Sequence, residues 1–209
     1  MNIILFGGTG TIGQRIFSEA VSRGHQVTVF VRPGREVQLS PLPAKVIEGD
    51  LAKSDDVGAA VQDQSAVISA VGPRGDASTL VQTYETLAAG LIKAGVRRLL
   101  VVGGAGSLEV APGKRVFDSP QFPKEWLAIA KAHGEVLEFL KTTDLDWTYI
   151  SPPALIEPGE RTEHYRRGKN QLLTDANGKS EISAEDYAVG LIDELETAQA
   201  LRKRITFAW

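Results

Sequence analysis

Apolar and polar positions along the chain fall into a regular alternation of short and long units. Residues 2–6 form a short apolar run closed by glycines. Residues 11–23 carry apolar side chains at 12, 16, 17, 20 and 21, the spacing of one helix face. Gly24 ends that helix, and residues 27–31, VTVFV, form a second strand rich in β-branched side chains. The rhythm repeats, with strands expected at 45–47, 66–70, 98–102 and 147–150 and helices at 55–61, 79–94 and 125–141. Strands that alternate with helices of this length need right-handed crossovers, which lay the strands parallel. The runs ILF, VTVFV, AVISAV and LLVV are continuously apolar, so the sheet is covered on both faces. The expected class is α/β, a doubly wound parallel sheet. After residue 150 the rhythm changes. Pro152, Pro153 and Pro158 interrupt it, a polar segment spans 159–177, a capped amphipathic helix spans 183–195, and a last strand is expected at 204–207. The chain reads as one domain over 1–209, with a core at 1–150 and a smaller portion at 151–209 that closes over the sheet edge.

Composition narrows the partners. A chain of 209 residues with 43% hydrophobic content can bury a full core. A net charge of −3, with signs interspersed, suggests neither a nucleic-acid nor an acidic-lipid surface. Small molecules are the natural partners, and the oligomeric state is open. Cysteine is absent, which excludes a disulfide framework, a thiol nucleophile and a Cys-based metal site. No His pair at helical spacing with a carboxylate base occurs, so no metal is expected. Met1 leads straight into an apolar strand with no basic leader, and no apolar stretch approaches the roughly 18 residues of a membrane span. A cytoplasmic location without membrane contact is expected.

The stretch ILFGGTGTIGQRI places Gly7, Gly10 and Gly13 between an expected strand and an expected helix. That spacing in that context is a dinucleotide loop: a sharp turn, close backbone approach to a pyrophosphate, and tight helix–strand packing, with the anion on the positive end of the helix. Thr9, Thr11 and Ile12 belong to the same contact set. An acid at the end of the second strand would hold a ribose 2′-hydroxyl. This chain has FVRPGR there, and Arg32 and Arg35 suit a 2′-phosphate, so NADP(H) is expected over NAD(H). Asp50 and Leu51 follow the third strand, where the carboxylate either accepts from the adenine amine or caps a turn. Ala70, Val71 and Gly72 follow the fourth strand, where small residues let the cofactor cross the sheet, and Arg74 can pair with a phosphate. Residues 1–150 are thus the cofactor core, and 151–209 the substrate side.

GGTGTIG, FVRPGR, GDL, SAVG and the Ser-Pro-Pro at 151–153 together resemble the atypical short-chain dehydrogenase/reductase superfamily, which has a Rossmann-type fold. Within it the chain is similar to the NAD(P)H-binding group of NADH-flavin reductases and biliverdin-IXβ/flavin reductases, with NmrA-like regulators more distant. The resemblance extends to the late segment ISAEDYAVGLIDEL. It implies that Gly103, Gly104, Pro152 and Pro153 adjoin the cofactor. The superfamily's usual Tyr and Lys are missing: their places hold Ile129 and His133. The usual Ser position holds Gly103 and Gly104, with Ser107 further along as a substitute.

His133 either contacts the nicotinamide ribose or delivers a proton, with a pKa suited to neutral pH, or is a helix-surface histidine bonded to a carbonyl. His25 reads as a solvated turn residue, and His164 as part of the polar segment. The run 117–126, with Pro120, Phe122, Pro123 and Trp126, either lines a substrate pocket or packs. Arg161, Arg166, Arg167 and Lys169 either receive a flavin phosphate or form a solvated surface. Hydride transfer to a flavin needs stacking and orientation, and the accompanying proton can come from water, so the missing acid is tolerable. The expected activity is NADPH-dependent reduction of a flavin, quinone or tetrapyrrole, a planar acceptor bound as substrate under the loop 103–108 and the segment after Pro153. The alternative is an NmrA-like sensor that binds NADP(H) without turnover; a sugar epimerase would want the missing Tyr.

Overall fold

The computed structural model describes residues 1–43, 45–73 and 75–209. Its elements in chain order are β1 (Asn2–Phe6), α1 (Thr11–Ser22), β2 (Gln26–Val31), β3 (Lys45–Glu48), α2 (Ser54–Val61), β4 (Ala66–Ser69), α3 (Leu80–Ala94), β5 (Arg98–Val102), β6 (Glu109–Ala111), β7 (Lys114–Arg115), α4 (Lys124–Lys141), β8 (Asp146–Ser151), β9 (Leu155–Glu157), β10 (Arg166–Gly168), β11 (Glu181–Ser183), α5 (Ala184–Thr197) and β12 (Lys203–Ala208). The main sheet runs β10-β12-β8-β5-β4-β1-β2-β3, all parallel except β10, which pairs antiparallel with β12. This is the Rossmann-like order, and the helices cover both faces.

Strand burial accounts for the two layers. Ile3 and Leu5 face one side with Ile16 and Phe17 of α1 and Tyr187 and Leu191 of α5. Ile4 and Phe6 face the other, with Val57 of α2, Leu87 and Leu91 of α3, and Val136 and Leu140 of α4. Successive strand residues alternate between faces, so a run in which every residue is apolar fills both cores. α5 starts where the Ser183 hydroxyl accepts from the Asp186 N–H at 3.0 Å, and α3 ends at Gly95 with φ of 73°. The chain leaves β1 for β2 on one side and later returns to β4 on the other. That reversal opens a crevice at the C-terminal ends of the strands, the usual ligand position in such sheets.

The polar segment after residue 158 is more ordered than its sequence suggests. It contains β10, and buried Asp186 of α5 accepts from the N–H groups of Thr162 and Glu163 at 2.8 and 2.9 Å. β6 and β7 form a small antiparallel hairpin, and β9 pairs parallel with β11. Among the described residues no helix is long and apolar enough to cross a membrane.

Candidate functional site

The turn after β1 is built around one close approach. Gly7 has φ of +81°, and a Cβ there would lie 2.6 Å from the Ala70 carbonyl oxygen; at Gly13 a Cβ would lie 2.1 Å from the Gly7 carbonyl oxygen. Only glycine fits at both. The Gly10 N–H bonds back to the Gly7 carbonyl at 3.1 Å, and α1 begins at Thr11 with no side chain capping its first turn. Bare amides at a helix N-terminus, in a cradle that any side chain would fill, fit a diphosphate. Thr11 is exposed at this end, while Ile12 packs against the core.

Beside the turn lies a cavity of about 190 Å³ that brings Gly7, Thr9, Arg32, Arg35, Leu51, Val71 and Gly72 together. Phe6, Phe30, Thr79, Leu80 and Thr83 also line it. Phe6 and Phe30 belong to the stretches ILFGGTGTIGQRI and FVRPGR but are not singled out there, and no motif points to Thr79, Leu80 or Thr83, which stand at the start of α3. Arg32 and Arg35 are exposed, and no carboxylate among the described residues pairs with either. The Arg35 N–H closes a turn on the Arg32 carbonyl at 3.1 Å, and Glu48 accepts from the Gly34 N–H at 3.3 Å. Both guanidinium groups therefore border the cavity with their donors available. Asp50 does not line it: one carboxylate oxygen accepts from the Ala52 N–H at 3.0 Å, the turn-forming arrangement. Ala70 supplies the carbonyl against Gly7, and Arg74 lies outside the described residues.

At the other end of the crevice, Tyr149 of β8 takes the space expected for a catalytic serine. A Cβ on Gly103 would lie 2.2 Å from the Tyr149 ring, and one on Gly104 would lie 2.9 Å from the His133 Cβ. The buried Tyr149 hydroxyl donates to the His133 carbonyl at 2.7 Å and accepts from the Gly104 N–H at 3.1 Å. It ties the loop after β5 to α4. Sequence reasoning missed Tyr149, because its strand position signals only burial.

His133 lines a second cavity, of about 610 Å³, with Gly104, Ala105, Gly106, Phe122, Pro123, Trp126, Ile129, Ala130 and Ala154 among its walls. The run 117–126, the loop after β5 and the segment after Pro153 do meet there. Pro152 and Pro153 are buried and carry the chain from β8 to Ala154. Burial pushes the His133 imidazole down to about 4, and its buried Nδ1 has no hydrogen-bond partner among the described residues. The expected titration near neutrality does not hold; the ring is neutral there.

Ser107 is not brought to this cavity. Its hydroxyl and its carbonyl accept from Arg204 at 3.0 and 2.9 Å, in a separate polar cleft with Glu109, Arg115 and Asn170. The basic cluster lies at the surface, as one of its two readings had it: Arg161 pairs with Glu19 at 2.8 Å, Arg167 pairs with Glu194 at 2.8 Å, Arg166 donates to the Thr174 carbonyl, and Lys169 is exposed. His25 is buried rather than solvated, 3.0 Å from Glu196. Each of the chain's four tyrosines has its hydroxyl engaged: Tyr84 donates to the Val71 carbonyl, Tyr149 to His133, Tyr187 to Ile150, and Tyr165 to Asp193.

Known proteins share this architecture along its whole length. A solved structure from Burkholderia pseudomallei, described as a "putative exported protein", is 46% identical, with a TM-score of 0.91, and covers 100% of both chains. One from Bacteroides thetaiotaomicron, described as a "putative epimerase", is 40% identical, with a TM-score of 0.90, covering 100% of this chain and 96% of that one. A "putative NADH-flavin reductase" from Streptococcus pneumoniae is 36% identical, with a TM-score of 0.86, covering 100% of this chain and 99% of that one. Residues 7–198 match the family described as NAD(P)H-binding, and that span holds both the glycine turn and the helix bearing His133. The chain belongs to the NAD(P)H-binding family.

Proposed function

We propose that this protein is an NADPH-dependent oxidoreductase that passes hydride to a flavin or a similar planar acceptor. The observation that carries this reading is the apolar cavity beside His133, at the same strand ends as the diphosphate turn, with no free acid in its walls. When bound, the reduced nicotinamide supplies a hydride to the acceptor, and a proton from water completes the two-electron reduction, leaving oxidised coenzyme. The chain's own residues bind and orient. The glycine turn and the first amides of α1 hold the diphosphate, Arg32 and Arg35 hold the 2′-phosphate, and His133, neutral above about pH 5, bounds the nicotinamide end. Proximity in a cavity walled by Phe122 and Trp126 then does most of the work. A cytoplasmic setting, where reduced coenzyme is regenerated, goes with this role.

Epimerase chemistry, to which one relative's description points, needs a tyrosine able to exchange a proton with a sugar. Here every tyrosine hydroxyl is engaged, and burial holds Tyr84 and Tyr149 well above the ordinary phenol range. The same lack of a free acid also favours a second reading, an NADP(H)-binding sensor without turnover. Following the reduced-nicotinamide absorbance with NADPH and riboflavin, its mononucleotide or a quinone separates the two: saturable oxidation supports the enzyme, and binding without oxidation supports the sensor. Arg32→Ala should weaken NADPH binding about tenfold and leave NADH within about twofold, measured by calorimetry. An unchanged preference would remove Arg32 from the 2′-phosphate site.

A further inference from the structure

We propose that the cavity beside His133 selects an uncharged planar acceptor, a flavin lacking phosphate or a quinone, over phosphorylated flavins; this deepens the oxidoreductase reading and rests on it. The argument is one of charge. Val116, Phe122, Pro123, Trp126, Ile129 and Ala130 form most of the wall, and its polar side chains are Ser119, Gln121 and His133. No Lys or Arg among the described residues lines it. Trp126, Ile129, Ala130 and His133 form one stripe of α4, at spacings of three, one and three residues. Lys124 and Lys131 on the same helix lie roughly 100° or more around its axis from that stripe, and Lys131 lines the polar cleft with Ser107 instead.

The arginines that looked able to receive a flavin phosphate are held by Glu19, Glu194 and backbone carbonyls. The positive end of α4 adjoins the cavity through Pro123, but Glu125 in its first turn opposes an anion there. Trp126 and Ile129 remain 58% and 42% exposed, an apolar platform on which a conjugated ring can stack. A phosphate on such an acceptor would lie over apolar side chains without a counter-charge and lose part of its hydration. In turnover the acceptor takes hydride from the coenzyme and one proton from water, and leaves as a neutral dihydro compound.

The test measures dissociation constants by calorimetry, with the protein saturated with NADP⁺ so that nothing turns over. Riboflavin and flavin mononucleotide carry the same ring and differ by one phosphate; menadione is the quinone arm. Riboflavin should bind at least about fivefold tighter than its mononucleotide. Ile129→Lys, which places a cation in the stacking platform itself, should shift the ratio of riboflavin to mononucleotide affinity about threefold or more toward the mononucleotide, whatever it costs both rings in common. Menadione binding as tightly as riboflavin identifies the shared uncharged ring as the recognised feature. Equal affinity for the two flavins in the wild type, or no binding of any of the three, overturns the proposal. Selective riboflavin binding without NADPH oxidation leaves the selectivity standing and overturns the oxidoreductase reading instead.

Discussion

At the scale of single residues, two buried groups near the acceptor cavity have measurable consequences. Tyr149→Phe keeps the ring that fills the space above Gly103 but leaves the Gly104 N–H and the His133 carbonyl without their partner. Buried polar groups that lose a bond cost about 1–3 kcal/mol each, with relaxation and water recovering part. The variant should lose about 1–2 kcal/mol in urea unfolding, raise KM for the acceptor, and keep coenzyme affinity within about twofold; an unchanged KM would show that the tie does not shape the cavity. His133 gives a pH signature. Its folded-state pKa is lowered by burial to about 4, against an ordinary value of 6.5, so protons bind the unfolded chain first. Stability is therefore full above about pH 6.5 and falls as the pH drops toward 4. Between pH 7 and 5 the protein should lose about 1–2 kcal/mol that His133→Gln does not lose, read from urea midpoints at the two pH values. Identical pH slopes would sink this assignment.

At the scale of elements, what the sequence makes legible depends on how much surface an element buries. The central strands β1, β2, β4, β5 and β8 and all five helices are found within a residue or two of their expected bounds, because full burial leaves a continuous apolar signature. β6, β7, β9, β10 and β11 hold three residues or fewer, shorter than any period can register, and their burial is mixed. The same division runs through the site. The close backbone approach at Gly7 and Gly13 is legible because it leaves no room for a side chain, and the position of Arg32 and Arg35 beside it because they follow β2. Ser107 is misplaced, and the arginines after residue 160 keep two readings until the structure shows them exposed and paired, because the groups that engage them, Arg204, Glu19 and Glu194, lie far away in sequence. α5 offers a direct check on the local signals. Ser183→Ala removes the hydroxyl that accepts from the Asp186 N–H and should cost about 1 kcal/mol by thermal unfolding, with coenzyme affinity unchanged; a loss of affinity would mean that this cap also shapes the cofactor site.

At the scale of the whole molecule, the glycine turn and the cavity beside His133 are assembled from different parts of the chain. The glycine turn needs β1, α1 and the loop after β4, all within the first 73 residues. The cavity beside His133 draws on the loop after β5, the run before α4, α4 itself and Ala154. α3 packs against α4 between them, and the sheet completes the join through its order: β12, near the end of the chain, lies between β8 and β10 and pairs in register with residues 148–151 of β8. On the ribosome, β8 therefore emerges with one flank bare and stays so until some fifty further residues have followed. An open apolar strand flank recruits other chains. A fragment ending at residue 150 should consequently collect in inclusion bodies even though it carries the entire coenzyme turn, and adding residues 151–209 in trans should recover part of it in the supernatant.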